Sequence, residues 1–250
     1  EISVFGDAEA HPVEKITELD YQIVDDGVAN FDNGNFAYVK IRVPDVKEKS
    51  DHMIFFSYAL VDTIRMYYPN PDGSLHLASE TGQAFKFDTR YYETSDFVFP
   101  IEPGISEYYF EISSHKPLVL PFQLVQREEL SETLSTNDFL FGIYVGIISV
   151  MFLYNLVIFF LTRDRSYLFY IMYLLTIGLA QAALFGYTDR YLFSWAPYFN
   201  KIFAVLSGAL VGIASIFFIN NFLRLKSKAP LFRNLLLIVI PLDIIAIVLL

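Results

Sequence analysis

The first half of the chain alternates apolar and polar residues; the second half abandons alternation for long apolar runs. "FAYVKIRV" sets Ala37, Val39, Ile41 and Val43 against Lys40 and Arg42, the two-residue period of a half-buried strand. "DTIRMYY" puts Ile64, Met66 and Tyr68 on one face and Thr63, Arg65 and Tyr67 on the other, and "YYFEIS" and "LVLPFQLV" continue the theme. Between these runs lie turn signals: "DDG" at Asp25, "FDNGN" at Phe31, "NPDG" at Asn70 and "EPG" at Glu102. Short strands at such spacing predict an antiparallel all-β sandwich of the jelly-roll kind over residues 1–127.

After a linker at 128–138, "EELSETLSTND", whose Glu and Leu content allows a short juxtamembrane helix, the pattern changes. Residues 139–161, "FLFGIYVGIISVMFLYNLVIFFL", carry no charge and are long enough to cross a bilayer. Further spans are expected at 167–185, 202–223 and 235–250, the last one truncated. The alternation of a barrel strand is missing from them, so they are predicted as transmembrane helices, about four in number.

Charge separates the same two parts. Up to Asp138 there are 25 acidic and 10 basic residues, and beyond it 3 and 8, a net of −15 followed by +5. The loop after the first span holds Arg163 and Arg165 against Asp164, and the loop after the third holds Arg224, Lys226, Lys228 and Arg233 with no acid. The loop between them, "GYTDRYLFSWAPYFN", balances Asp189 with Arg190 and carries Tyr187, Tyr191, Trp195 and Tyr198. Basic loops favour the cytoplasm, and Trp and Tyr favour the interface. The β-domain and the second loop are therefore expected outside, on the periplasmic or extracellular face of a bacterial inner membrane. The chain has no cysteine, which excludes disulfides and Cys-ligated metal. It begins at Glu1 without a basic leader and closes on the apolar "LDIIAIVLL", which predicts a piece of a longer, exported protein.

An outer β-sandwich followed by "FGIYVGIISVMFLYNLVIFFLTRDRSYLFYIMYLLTIGLAQAALFGYTDRYLF" resembles the bacterial seven-transmembrane receptors with diverse intracellular signalling modules. The most specific phrase runs from "YNL" through "RDRSYLFYIMYL" to "G" and "YLF". The first half, with "LVDTIRMYYPNPDG" and "FVFPIEPG" in that order, resembles the second type of extracellular domain of that family. The resemblance implies three further helices and a cytoplasmic output module, commonly a histidine kinase, a diguanylate cyclase or a phosphatase-like domain. It also implies a carbohydrate or other small solute as ligand, because these outer domains are thought to resemble carbohydrate-binding modules.

No catalytic signature stands out: there is no glycine-rich phosphate loop, no HExxH and no nucleophile elbow. His11, His52, His76 and His115 lie far apart without metal-ligand spacing, and "FDNGN" and "NPDG" lack the alternating carboxylates of a calcium loop. No enzyme activity, cofactor, metal or nucleic-acid partner is expected of this fragment. For a sugar, an aromatic platform beside charged hydrogen-bonding groups is the pattern to seek. Arg65 and Tyr67 share a strand face, and "FKFDTRYYE" adds Asp88, Arg90, Tyr92 and Glu93; these six are the expected ligand-binding residues, with Arg90 and Tyr92 the leading pair. The plainer reading makes them solvent-side decoration of strands.

Within the spans, Asn155, Gln181, Asn220, Asn221 and Asp243 are polar. A carboxylate near mid-membrane costs roughly 2.5–3.5 kcal/mol on insertion scales, so Asp243, two residues after Pro241, is expected to face the bundle as interhelical glue or as a switch point. Gly142 with Gly146, and Gly208 with Gly212, form GxxxG pairs that favour helix packing, and a homodimer stays open. The leading expectation is thus a sensor that passes ligand binding through its helices to a cytoplasmic module. The alternative is a transport or envelope-assembly component whose outer domain captures a solute or a protein.

Overall fold

Ten strands and six α-helices follow one another in the computed structural model, which describes residues 1–7, 9–23, 28–31, 36–43, 51–114 and 118–248. "DDG", the 32–35 part of "FDNGN" and His115 lie outside the described residues. The chain forms two compact units: residues 1–134 with 185–198, and residues 135–184 with 199–250.

The first unit is an antiparallel β-sandwich. Its strands are β1 (Ile2–Asp7), β2 (Gln22–Ile23), β3 (Val28–Phe31), β4 (Phe36–Arg42), β5 (His52–Phe56), β6 (Thr63–Pro69), β7 (Leu75–Thr81), β8 (Phe97–Pro100), β9 (Glu107–Ser113) and β10 (Leu118–Gln126). A six-stranded sheet has the order β2-β1-β4-β9-β6-β7, and a four-stranded sheet the order β3-β10-β5-β8. Strand β10 pairs with β3 over Leu118–Pro121 and with β5 over Phe122–Gln126, so its proline sits where it changes neighbour.

Alternation explains the core. Ala37, Val39 and Ile41 from β4, Ile64 and Met66 from β6, and Phe110 and Ile112 from β9 face Ile54, Phe56, Phe97, Phe99 and Phe122 from the other sheet, all buried. The aromatic rings interlock, with centroids 4.6 Å apart for Phe56 and Phe122 and 4.9 Å for Phe110 and Phe122. Each such ring contributes about 1.5–3 kcal/mol by leaving water.

Burial does not stop at this layer, although alternation alone predicts solvent on the outer faces. On the far side of the six-stranded sheet, Tyr38, Tyr67 and Tyr109 pack under Ile16, which a 3₁₀ turn at Val13–Glu18 presses onto them. The Tyr38 hydroxyl accepts the His11 N–H at 2.7 Å, and the Tyr21 hydroxyl donates to the Ile16 carbonyl at 2.9 Å. On the far side of the four-stranded sheet, Met53, Phe55, Val98 and Val125 pack with Leu130, in the first turn of helix α1. The expected "NPDG" turn joins β6 to β7: Asp72 Oδ1 accepts the Ser74 N–H at 2.9 Å, and the Asn70 and Ser74 backbones close on each other.

The helices are α1 (Arg127–Thr162), α2 (Arg165–Leu184), α3 (Tyr187–Tyr191), α4 (Pro197–Phe222), α5 (Leu225–Lys228) and α6 (Pro230–Val248). Among the described residues α1, α2 and α4 are long and apolar enough to cross a membrane. The stretch at 128–138, whose composition allows a short juxtamembrane helix, is helical and continuous with the first span, with Glu128 and Glu129 favourably placed at the positive end of the helix dipole. The "RDR" turn ends one helix and starts the next. Arg163 takes a left-handed conformation and donates its N–H to the Phe159 carbonyl, and Asp164 Oδ1 caps α2 by accepting the Ser166 N–H at 2.8 Å.

In the second unit, Asn221 Nδ2 donates to Ser166 Oγ at 2.9 Å, tying α4 to α2, and Asn155 returns its amide to the Met151 carbonyl of its own helix. Asp243 of α6 packs against α4 at Gly212, where a methyl group would stand 3.1 Å from its Oδ2. A methyl group added at Gly142, Gly146 or Gly208 would meet nothing within 4 Å outside its own helix backbone, so of the two GxxxG pairs only Gly212 is backed by a side chain, that of Asp243.

Candidate functional site

The six residues singled out as ligand-binding candidates fall in two separate places. Arg65 and Tyr67 lie on the outer face of β6, where register brings carboxylates to both sides: Arg65 stands opposite Glu80 of β7 and opposite Glu111 of β9. Arg65 donates to Glu80 at 2.7 Å and to Glu111 at 3.0 Å, and the Tyr67 hydroxyl donates to the other Glu111 oxygen at 3.1 Å. Burial, then the neighbouring Glu111 charge, pushes the Tyr67 hydroxyl above its usual range, so it stays a donor at any ordinary pH. Arg65 and Glu80 keep 38% and 35% of their side-chain surface exposed while Glu111 keeps 6%, so this network has one wet edge and one dry one. Arg65 and Tyr67 are legible in the sequence, whereas the closeness of the two glutamates depends on strand register.

Beside this, Glu107 gathers Arg42 at 2.8 Å, Lys40 at 3.2 Å and the Tyr109 hydroxyl at 3.0 Å. Burial alone raises its carboxyl, but these three donors outweigh burial and hold it below the usual carboxylate range.

Asp88, Arg90, Tyr92 and Glu93 belong to the connection between β7 and β8, not to a strand. Asp88 is exposed within a 3₁₀ turn at Phe87–Thr89, and Glu93 is exposed. Tyr92 is half-buried against the Met53 and Phe55 cluster. Arg90 and Tyr92 do not form one solvent-facing pair, because Arg90 is turned inward. Its Nη1 donates to the Thr94 and Ser95 carbonyls at 2.9 and 2.6 Å, and its Nη2 to Asp189 of the loop between α2 and α4. The rings of Phe97 and Phe87 lie against its guanidinium, 4.3 and 4.7 Å from centroid to carbon.

Both charges of the pair are almost fully covered, at 2% and 1% side-chain exposure. Burial presses the Asp189 carboxyl up and the Arg90 guanidinium down, and each partner's charge opposes the shift in the other. The loop docks through backbone too: the Phe87 N–H donates to the Ser194 carbonyl at 3.3 Å. Gly186 opens the loop at φ 74°, and a Cβ there would lie 2.7 Å from Ala59 Cβ and 3.1 Å from Ser95 Cβ, so only glycine lets the two segments touch. In the sequence Asp189 is balanced by its neighbour Arg190, and nothing in the spacing announces a partner 99 residues away.

Among the described residues, no three His, Asp or Glu side chains come together as a metal-holding group. His11 pairs with Asp7 at 2.8 Å.

Two family models match the chain, one after the other. Residues 6–126 match the extracellular domain described as 7TMR-DISM extracellular 2, and residues 137–250 match the membrane domain described as 7TM diverse intracellular signalling. No match was found among curated proteins.

Proposed function

We infer that this chain, which belongs to the family of seven-transmembrane receptors with diverse intracellular signalling, reads a small solute with its sandwich and conveys the bound state through the loop at 185–198. It is a membrane protein with an extracellular N-terminal domain, and its domains are those of a receptor rather than of an enzyme. The carrying observation is the Arg90–Asp189 pair. A loop that joins two membrane helices, α2 and α4, is folded into the ligand-sensing unit and secured there by a buried charge pair.

The ligand class in this reading is a carbohydrate or similar polar solute, bound by a jelly-roll-like sandwich. The half-exposed Arg65 and Glu80 edge offers donors and acceptors, already oriented by Glu111, to hydroxyl groups. Asp88, Tyr92 and Glu93 belong to the same connection as Phe87 and Arg90, which bond to the docked loop, so contact with a solute there would favour one position of the 185–198 segment over another. A ligand moves such an equilibrium only by binding one state better than the other, about ten thousand-fold for a full switch. In the bacterial inner membrane the receiver is a cytoplasmic module of the full-length protein, a histidine kinase or diguanylate cyclase.

The test uses the chain reconstituted in lipid nanodiscs and a panel of cello-, chito- and malto-oligosaccharides. At least one is expected to raise the midpoint of thermal unfolding in the wild type and less so in Arg65→Ala. Equal shifts in both would remove Arg65 from the site, and no shift across the panel would remove carbohydrate as the ligand class.

A further inference from the structure

Where α1 ends, α2 begins and α4 ends, these three helices leave a cavity of about 420 Å³ within the second unit. Its mouth is polar and of both signs: Arg224 from the turn after α4, Asp164 and Ser166 from the turn before α2. Its walls are aromatic, with Tyr170 of α2 and Phe218 and Phe222 of α4. Asn155 lines it from α1, seven residues before the helix ends, which is about 10 Å below the mouth. The Asn155 amide gives one hydrogen to the Met151 carbonyl and has a second to offer.

The backbone at the mouth is unusual. Arg163 and Arg224 are the only non-glycine residues with positive φ among the described residues, at 55° and 50°, and both stand where a helix ends. Glycine takes that left-handed cap at about 1 kcal/mol less strain. An arginine held there trades comfort for a charge in a set place.

We propose that this cavity holds one aminophospholipid. The phosphate meets Arg224, the headgroup ammonium meets Asp164, an ester carbonyl accepts from Asn155, and an acyl chain lies along Phe218 and Phe222. The dipolar mouth selects the class. A headgroup without chains leaves Phe218 and Phe222 without an acyl partner, and an anionic headgroup without an amine leaves Asp164 facing its own sign.

Native mass spectrometry of the chain, released from nanodiscs of mixed phosphatidylethanolamine, phosphatidylglycerol and phosphatidylcholine, tests this. The wild type is expected to retain one phosphatidylethanolamine. Arg224→Gly suits the left-handed backbone, so it should keep its helical melting curve in detergent yet lose lipid at least fivefold; Asp164→Asn should abolish the preference for the amine headgroup. Glycerophosphoethanolamine, the same headgroup without chains, should not compete. Equal retention by wild type and Arg224→Gly, equal retention of all three lipids by the wild type, or displacement by the chainless headgroup would each overturn the proposal.

Discussion

Arg90 and Asp189 meet in a buried ion pair across 99 residues of sequence and two membrane helices. Because Asp189 sits in the loop between α2 and α4, its contact with Arg90 folds that loop into one unit with the sandwich. The excess of Arg and Lys in the loops after α1 and α4 predicts the opposite side for those two loops.

Removing one partner leaves a buried charge without its counterion. Asp189→Ala is expected to destabilise the outer unit by about 3–5 kcal/mol, whereas Arg90→Met combined with Asp189→Leu should recover most of that loss, since the apolar pair needs no solvation. Denaturant unfolding of the four members of the cycle checks this. If the double variant is no more stable than Asp189→Ala, the pair does not act as a unit.

Gly186→Ala tests loop docking without touching charge. The added methyl needs a left-handed backbone and meets Ala59 and Ser95 at 2.7 and 3.1 Å. A cost of roughly 1–3 kcal/mol and faster proteolysis between 185 and 198 are expected. Cleavage at the wild-type rate would mean that the loop is not held by this contact.

Ile16 is fully buried under a single 3₁₀ turn, with Tyr38, Tyr67 and Tyr109 beneath it. Ile16→Ala should cost about 2–5 kcal/mol, as for a core residue rather than for a surface turn. A change below roughly 0.5 kcal/mol in the unfolding free energy would show that the turn is not part of the core.

Acid should loosen the six-stranded sheet at Glu107. Its folded-state pKa lies below the unfolded one, so its stabilisation is present above the ordinary carboxylate range and is lost as pH falls through the depressed value. Glu107→Gln should flatten the decline of the denaturation midpoint as pH falls below the ordinary carboxylate range, and added salt should shrink the difference. An unchanged slope in the variant would assign the acid sensitivity to other groups.

The lack of cysteine makes sidedness directly measurable. Single substitutions Glu93→Cys and Lys226→Cys, both at exposed positions, should differ in spheroplasts. A membrane-impermeant maleimide is expected to label the first and to reach the second only after lysis. The reverse result would invert the topology.

What the sequence determined by itself was everything that repeats at short range. The period of two in "FAYVKIRV" and "DTIRMYY" placed Ala37, Val39, Ile41, Ile64 and Met66 in the core, because a pleated strand sends alternate side chains to opposite faces. The uncharged run 139–161 marked a membrane helix, because lipid tolerates only backbone that bonds to itself. Tertiary structure alone decided which outer faces are covered and which charges meet. Ile16 over the tyrosines, Leu130 over Phe55, Glu80 and Glu111 flanking Arg65, and Asp189 against Arg90 all join residues with no local rule between them. Arg90 shows the reason most clearly: its neighbours in the chain mark a polar loop, but its surroundings are set by a segment 99 residues away that only the folded chain brings near.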